Sequence, residues 1–109
     1  MTAMKAGRLA AVSLPLNVNT VVYPVPAGRR ASFTVNFCNI TTATAKIRLA
    51  LSIGTTPQAS DWIEYDTSIL GNGVLERTGL ALSAGQCLIV FSNKATVTSV
   101  VYGIEEDIG

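Results

Sequence analysis

Arg30-Ala31-Ser32-Phe33-Thr34-Val35-Asn36-Phe37-Cys38-Asn39-Ile40-Thr41-Thr42-Ala43-Thr44-Ala45-Lys46-Ile47-Arg48-Leu49-Ala50-Leu51-Ser52-Ile53 is the stretch whose reading decides the fold. Ala31, Phe33, Val35 and Phe37 share one parity, and Ser32, Thr34 and Asn36 share the other. Further on, Ala43, Ala45, Ile47, Leu49, Leu51 and Ile53 alternate with Thr44, Lys46, Arg48 and Ser52. A period of two in β-branched and aromatic residues marks strands with one buried face. Asn39-Ile40-Thr41-Thr42 between them supplies a turn-tolerant Asn and a link so short that the expectation is a hairpin. A sheet with one dry face requires a second layer to cover it.

Outward from this centre the same grammar repeats. Residues 7–14 are apolar and form a first strand or an arm on a neighbour. Thr20-Val21-Val22-Tyr23 is a short strand closed by Pro24 and Pro26, neither of which donates to a ladder. Pro26-Ala27-Gly28 turns the chain into the central stretch. After Ile53 the longest break, Gly54 to Asp61, is where a sandwich would cross between sheets or present a surface. Trp62 to Leu70 then places Ile63, Tyr65, Thr67 and Ile69 on the core parity and Trp62, Glu64 and Asp66 on the wet one.

Gly71-Asn72-Gly73 carries the strongest hairpin signal. It leads to Val74 to Leu82, with Val74, Leu80 and Leu82 in phase. Cys87-Leu88-Ile89-Val90-Phe91 is an apolar run expected to be buried on both faces. Thr96 to Ile104 closes the fold, with Val97, Val101 and Gly103 opposite Val100, Tyr102 and Ile104, ahead of a solvated Glu105-Glu106-Asp107 end. The reading is all-β: about seven or eight short strands in a two-sheet antiparallel sandwich, jelly-roll or immunoglobulin-like. One domain spans residues 1–109, with residues 1–8 as a possible N-terminal arm.

Composition narrows the function. At 109 residues the chain buries roughly 65% of its unfolded surface by size scaling, enough for a core without staples. Only 14% of residues are charged, below the roughly 25% of ordinary soluble domains, which suits a subunit living inside an assembly. The net charge of +1 and the lack of a basic stripe argue against nucleic acid. No apolar run is long enough for a membrane helix. The broken run after Lys5 and Arg8 is read as retained structure rather than a signal peptide.

Chemistry is sparse. With no histidine, Ser-His-Asp and Cys-His sites are excluded, and no phosphate-cradling loop occurs. Asp61, Glu64 and Asp66 could form a calcium site or a glycosidase pair, but a strand's wet face is the simpler reading, with Glu64 pairing to Lys46 or Arg48. No cofactor or metal is expected. Trp62 and Tyr65 could stack on a sugar, although Tyr65 shares the core parity and Trp62 is placed at the sandwich end. Arg29-Arg30 could meet an acidic partner or be a solvated turn. Cys38 sits on a polar parity, so Cys38 and Cys87 are read as independent thiols.

Trp62-Ile63-Glu64-Tyr65-Asp66, Gly73-Val74-Leu75-Glu76-Arg77-Thr78-Gly79 and Val101-Tyr102-Gly103-Ile104-Glu105-Glu106 resemble a family of small β-sandwich virion proteins of tailed bacteriophages. Gly7-Arg8-Leu9-Ala10, Val22-Tyr23-Pro24-Val25-Pro26-Ala27-Gly28 and the Val35–Asn39 strand end agree. These motifs are turn and strand signatures, spread over nearly the whole chain. The resemblance implies a non-enzymatic structural protein of the virion, assembled in the host cytoplasm. Its first form is a capsid decoration (cement) protein, a homotrimer that binds the major capsid protein on the outer shell and stabilises it. The alternative is a tail-fibre or baseplate component, or a receptor-binding module contacting host surface glycan. The candidate interface residues are Met1, Met4, Lys5, Arg8, Arg29 and Arg30, the first four on an arm that either lies on a neighbour or folds back as an edge strand.

Overall fold

The computed structural model describes residues 4–108. Eight strands occur there: β1 (Met4–Ser13), β2 (Thr20–Pro24), β3 (Arg29–Asn39), β4 (Ala45–Ser52), β5 (Trp62–Ile69), β6 (Val74–Ser83), β7 (Cys87–Ser92) and β8 (Val97–Asp107). They form two four-stranded antiparallel sheets, ordered β1-β8-β3-β6 and β2-β7-β4-β5, packed as a sandwich. The only helical turn is a 3₁₀ segment, Ala59–Asp61, among the described residues.

The strands are where the alternation puts them, but their partners are not. β3 and β4 do not form a hairpin: β3 pairs with β8 and β6, while β4 pairs with β7 and β5. The Gly71-Asn72-Gly73 turn likewise joins strands of different sheets. Successive strands cross from sheet to sheet everywhere except β4 to β5, which pair despite the long loop between them. That loop is the one connection that does not cross, so of the two readings given it, a crossing or a presented surface, the crossing fails. This alternation is the connectivity of a jelly roll, not of an immunoglobulin domain.

The arches hold because their ends are pinned. Asn39 is fully buried. Its Nδ2 donates to the carbonyls of Ala43 at 2.7 Å and Ile69 at 3.2 Å, and its Oδ1 accepts from Thr41 and Thr96. One amide thus joins the β3–β4, β5–β6 and β7–β8 connections, where a hairpin turn would have left it in solvent. At the same end Gly71 lies so close to Thr42 that an added Cβ would fall 2.1 Å from the Thr42 carbonyl oxygen.

Phe33, Val35, Phe37, Ile47, Leu49, Leu88, Val90, Val97 and Val101 form the core between the sheets. Ala43 and Ile53, at the ends of the β4 alternation, are exposed. β7 is buried on both faces as expected, because Cys87 and Ile89 join Ala50 in a second small cluster on the outer side of its sheet, with Val21 and Trp62 packed against it.

Two bulges break the parity read from the sequence. Asp66 adopts φ +54°, where the β4–β5 register slips between Ile47 and Leu49, and Gly79 adopts φ +72°, where β3–β6 slips between Phe33 and Val35. Each inserts a residue and reverses which neighbouring side chains face inward, until in β5 a further slip between Leu49 and Ala50 leaves Ile63 packed on the core. Tyr65 therefore points outward and is 57% exposed, and Val74 is exposed although Leu80 and Leu82 are buried.

Candidate interaction surfaces

The first surface is the end of the sandwich where Arg29 and Arg30 begin β3. β3 lies antiparallel to β8, so Arg29 faces Asp107 and Arg30 faces Glu106 across the ladder. Arg29 bonds Glu105 and Asp107, both at 3.1 Å, and Arg30 bonds Glu106 at 2.8 Å. The pair that could meet an acidic partner or stand as a solvated turn is thus occupied by the chain's own acidic end. That end is not solvated as expected. Glu105 is 5% exposed and accepts the Tyr23 hydroxyl at 2.5 Å. Burial, reinforced by this carboxylate, pushes the Tyr23 phenol well above its usual range.

The N-terminal candidates follow. Met4, Lys5 and Arg8 lie in β1, which pairs antiparallel to β8 with Met4 opposite Glu106, Lys5 opposite Glu105 and Arg8 opposite Tyr102. Residues 4–8 are therefore an edge strand of their own sheet, not an arm laid on a neighbour. Met1 lies outside the described residues. All five of residues 4–8 are exposed, and neither Lys5 nor Arg8 has an ion-pair partner among the described residues.

The outer face of the β1-β8-β3-β6 sheet carries exposed apolar side chains between a few charges, the Arg30–Glu106 pair, Glu76 and Arg8. Ile104, 45% exposed, and Tyr102 and Met4 stand on it beside Ser32, Thr34 and Ala81, and a shallow groove of about 480 Å³ runs between β3, β6 and β8. Tyr102 donates to Glu76 at 2.9 Å, which raises its phenol above the usual range. None of Tyr102, Ile104 or Ala81 was marked as an interface candidate. The available signal was three large apolar residues, Val100, Tyr102 and Ile104, on the wet parity of one strand.

The outer face of the other sheet is aromatic. Arg48 and Phe91 are cross-strand partners, as are Ala50 with Ile89 and Ala50 with Trp62. The Arg48 guanidinium lies 4.1 Å from the Tyr65 ring centroid and 4.6 Å from that of Phe91, and it bonds Asp66 at 2.7 Å. That bond draws the Asp66 carboxyl below the usual carboxylate range. Trp62 meets Tyr65 edge to face at 5.6 Å.

The three carboxylates near β5, for which a wet strand face is the simpler reading, are divided among separate partners. Asp66 pairs with Arg48, Glu64 pairs with Arg77 across the sheet edges rather than with Lys46 or Arg48, and Asp61 accepts the Gln58 amide at 2.7 Å. No group of three or more potential metal ligands gathers among the described residues.

No protein-family model matches the chain, and no curated protein matches it by sequence. Its likeness is one of fold. A protein of the T13 IBDV viral particle superimposes with TM-score 0.52 at 8% identity, over 96% of this chain and 30% of that one. A pentameric capsid protein from metagenomic phage sequences superimposes with TM-score 0.38 at 19% identity, over 94% of this chain and 61% of that one. The CBM22-1–GH10 modules of Clostridium thermocellum xylanase 10B give TM-score 0.38 at 12% identity, over 99% and 25% of the respective chains. The latter two are too remote to bear on this chain. It spans about a third of the viral particle protein that it matches in fold.

Proposed function

We propose that this chain is a structural protein of a tailed-bacteriophage virion, a decoration protein that binds the outside of the capsid and stabilises it, with no catalytic role. The observation that carries the reading is the outer face of the β1-β8-β3-β6 sheet. Tyr102, Ile104 and Met4 are exposed there, among charges that are largely engaged within the chain (Arg30 with Glu106, Glu76 with Tyr102), and the bare first half of β1 borders them. A free monomer rarely leaves such a face open. The jelly-roll fold shared with a viral particle protein supports the reading, as does the sequence resemblance. Lys5 and Arg8, without ion-pair partners among the described residues, call for an acidic rim around an apolar shell site, with copies clustered as trimers.

A second reading places the chain in the tail or baseplate, in contact with host surface glycan. The exposed Tyr65 beside Trp62 favours it. Mass-spectrometric stoichiometry of purified virions decides between them. Shell decoration requires on the order of hundreds of copies per particle, because closed symmetry repeats the site, whereas a tail part is present in far fewer. Absence from virions would refute both.

A further inference from the structure

We infer that the outer face of the β2-β7-β4-β5 sheet binds a neutral oligosaccharide, stacked on Tyr65 and leading into the concavity of the β4–β5 loop. The Asp66 bulge turns Tyr65 out of the core and leaves it more than half exposed. Arg48 packs against one face of the ring at 4.1 Å, and Trp62 abuts it edge-on. The ring is thus held by Arg48 and Trp62 while 57% of the residue stays exposed to solvent. A rigid aromatic plane of this kind complements the C–H face of a pyranose, which water solvates poorly.

The polar half of the site lies on the same sheet face. Arg48, Ala50 and Ser52 project from β4 on one side, and four residues of strand span about 13 Å, the reach of a short oligosaccharide. Ser52 borders an open concavity of about 410 Å³, walled also by Thr55, Thr56, Gln58, Ser60 and Asp61. Hydroxyls, an amide and one carboxylate are the groups that hydrogen-bond sugar hydroxyls, and a few polar groups beside an apolar platform make a ligand site. A neutral ligand is inferred because Arg48, the guanidinium of the platform, is already paired with Asp66.

Covering the small Ala50–Ile89 cluster explains why Trp62 is there. It does not explain Tyr65, which covers nothing buried and is exposed. The inference gives the glycan reading a site, but it rests on this face and not on where in a particle the chain sits. Purified protein answers it without virions, so its failure leaves the copy-number result untouched, and the reverse holds too.

Trp62 is the only tryptophan, so its emission reports on this face alone. The test titrates the purified chain with neutral hexasaccharides of glucose, mannose, galactose, rhamnose and N-acetylglucosamine. Amide chemical shifts are followed in parallel. A saturable emission change with at least one sugar is expected, with Kd at or below about 1 mM. The shifts should centre on Trp62, Tyr65 and Ser52. Tyr65→Ala should weaken binding at least about tenfold with an unchanged melting temperature, Tyr65→Phe should retain it, and Ile104→Lys on the opposite sheet should have no effect. No saturable change with any sugar overturns the inference. So do shifts confined to the other sheet, or wild-type affinity in Tyr65→Ala.

Discussion

Tyr23 and Glu105 lie 82 residues apart in sequence and meet at 2.5 Å inside the sandwich, a phenol of one sheet donating to a carboxylate of the other. Arg29 supplies the same carboxylate with a second bond, so an acidic residue of β8 is buried without being orphaned. Tyr23→Phe leaves Glu105 with one partner fewer and should cost about 1–3 kcal/mol at neutral pH. Burial and then the carboxylate raise the folded-state phenol pKa. The contribution is therefore complete below the unfolded value, about 10, and is lost as pH climbs from there toward the folded value. Urea unfolding from pH 7 to pH 11 should show wild-type stability falling above about pH 10 and Tyr23→Phe falling less steeply.

Asn39 should be the costliest polar residue to replace. Asn39→Ala removes donors from the Ala43 and Ile69 carbonyls and the acceptor of Thr41 and Thr96 in one step. The expected loss is about 3 kcal/mol, since each buried group left unpaired costs its desolvation. Asn39→Asp should be at least as damaging, because it sets a carboxylate against carbonyl oxygens. Chemical denaturation of both variants checks this. Equal stability to wild type would mean that the arches do not depend on the amide.

Gly103 sits directly against β3, and an added Cβ would fall 2.2 Å from the Ser32 carbonyl oxygen. Backbone cannot give way there without opening the β3–β8 ladder, so Gly103→Ala should destabilise by at least about 2 kcal/mol. Gly54, where an added Cβ meets nothing, is the control. Gly54→Ala should change stability by no more than about 0.5 kcal/mol.

Cys38 and Cys87 are free thiols at opposite ends of the sandwich. Cys38 faces Val74 near the arch end, while Cys87 pairs with Pro24 and Ser52 at the far end, a separation on the order of 25 Å along the strands. Reductant should leave the melting temperature unchanged, whereas a bridge would contribute about 2–4 kcal/mol. In native protein a thiol reagent should modify the half-buried Cys38 promptly, and Cys87 only on unfolding. Equal native reactivity would contradict the burial of Cys87.

The surface proposed to dock on the capsid can be tested directly. Ile104→Lys puts a charge on an exposed position of β8 and should leave the free domain within about 0.5 kcal/mol of wild type. Co-sedimentation with capsids lacking the protein should fall at least tenfold, about 1.4 kcal/mol. Undiminished co-sedimentation would move the docking surface elsewhere.

Where the strands lie, and which residues of most of them face inward, was legible in the chain. Phe33, Val35 and Phe37 in β3, Ile47 and Leu49 in β4, and both faces of Cys87–Val90 are buried as their spacing dictates. Side-chain alternation is a local property of extended backbone, so residues within one strand suffice to specify it. The bulges escaped because one extra residue, at Asp66 or Gly79, leaves no mark in composition while it inverts the side chains next to it.

Pairing belonged to the tertiary structure alone. Asn39-Ile40-Thr41-Thr42 and Gly71-Asn72-Gly73 look like hairpin turns, yet each spans the two sheets, because a turn specifies only that the chain reverses and not which neighbour it reverses onto. That choice is made by packing across the sandwich: by Asn39 finding carbonyls from two other connections, and by Glu105 finding Tyr23 and Arg29. The same long-range choice neutralised Arg29 and Arg30 against Asp107 and Glu106, and gathered Arg48, Tyr65, Trp62 and Phe91 onto one face from three strands. By itself the sequence determined extended strands with a dry side. Only the fold, where burial and hydrogen bonding are satisfied between residues far apart in the chain, decided which surfaces remain free to meet a partner.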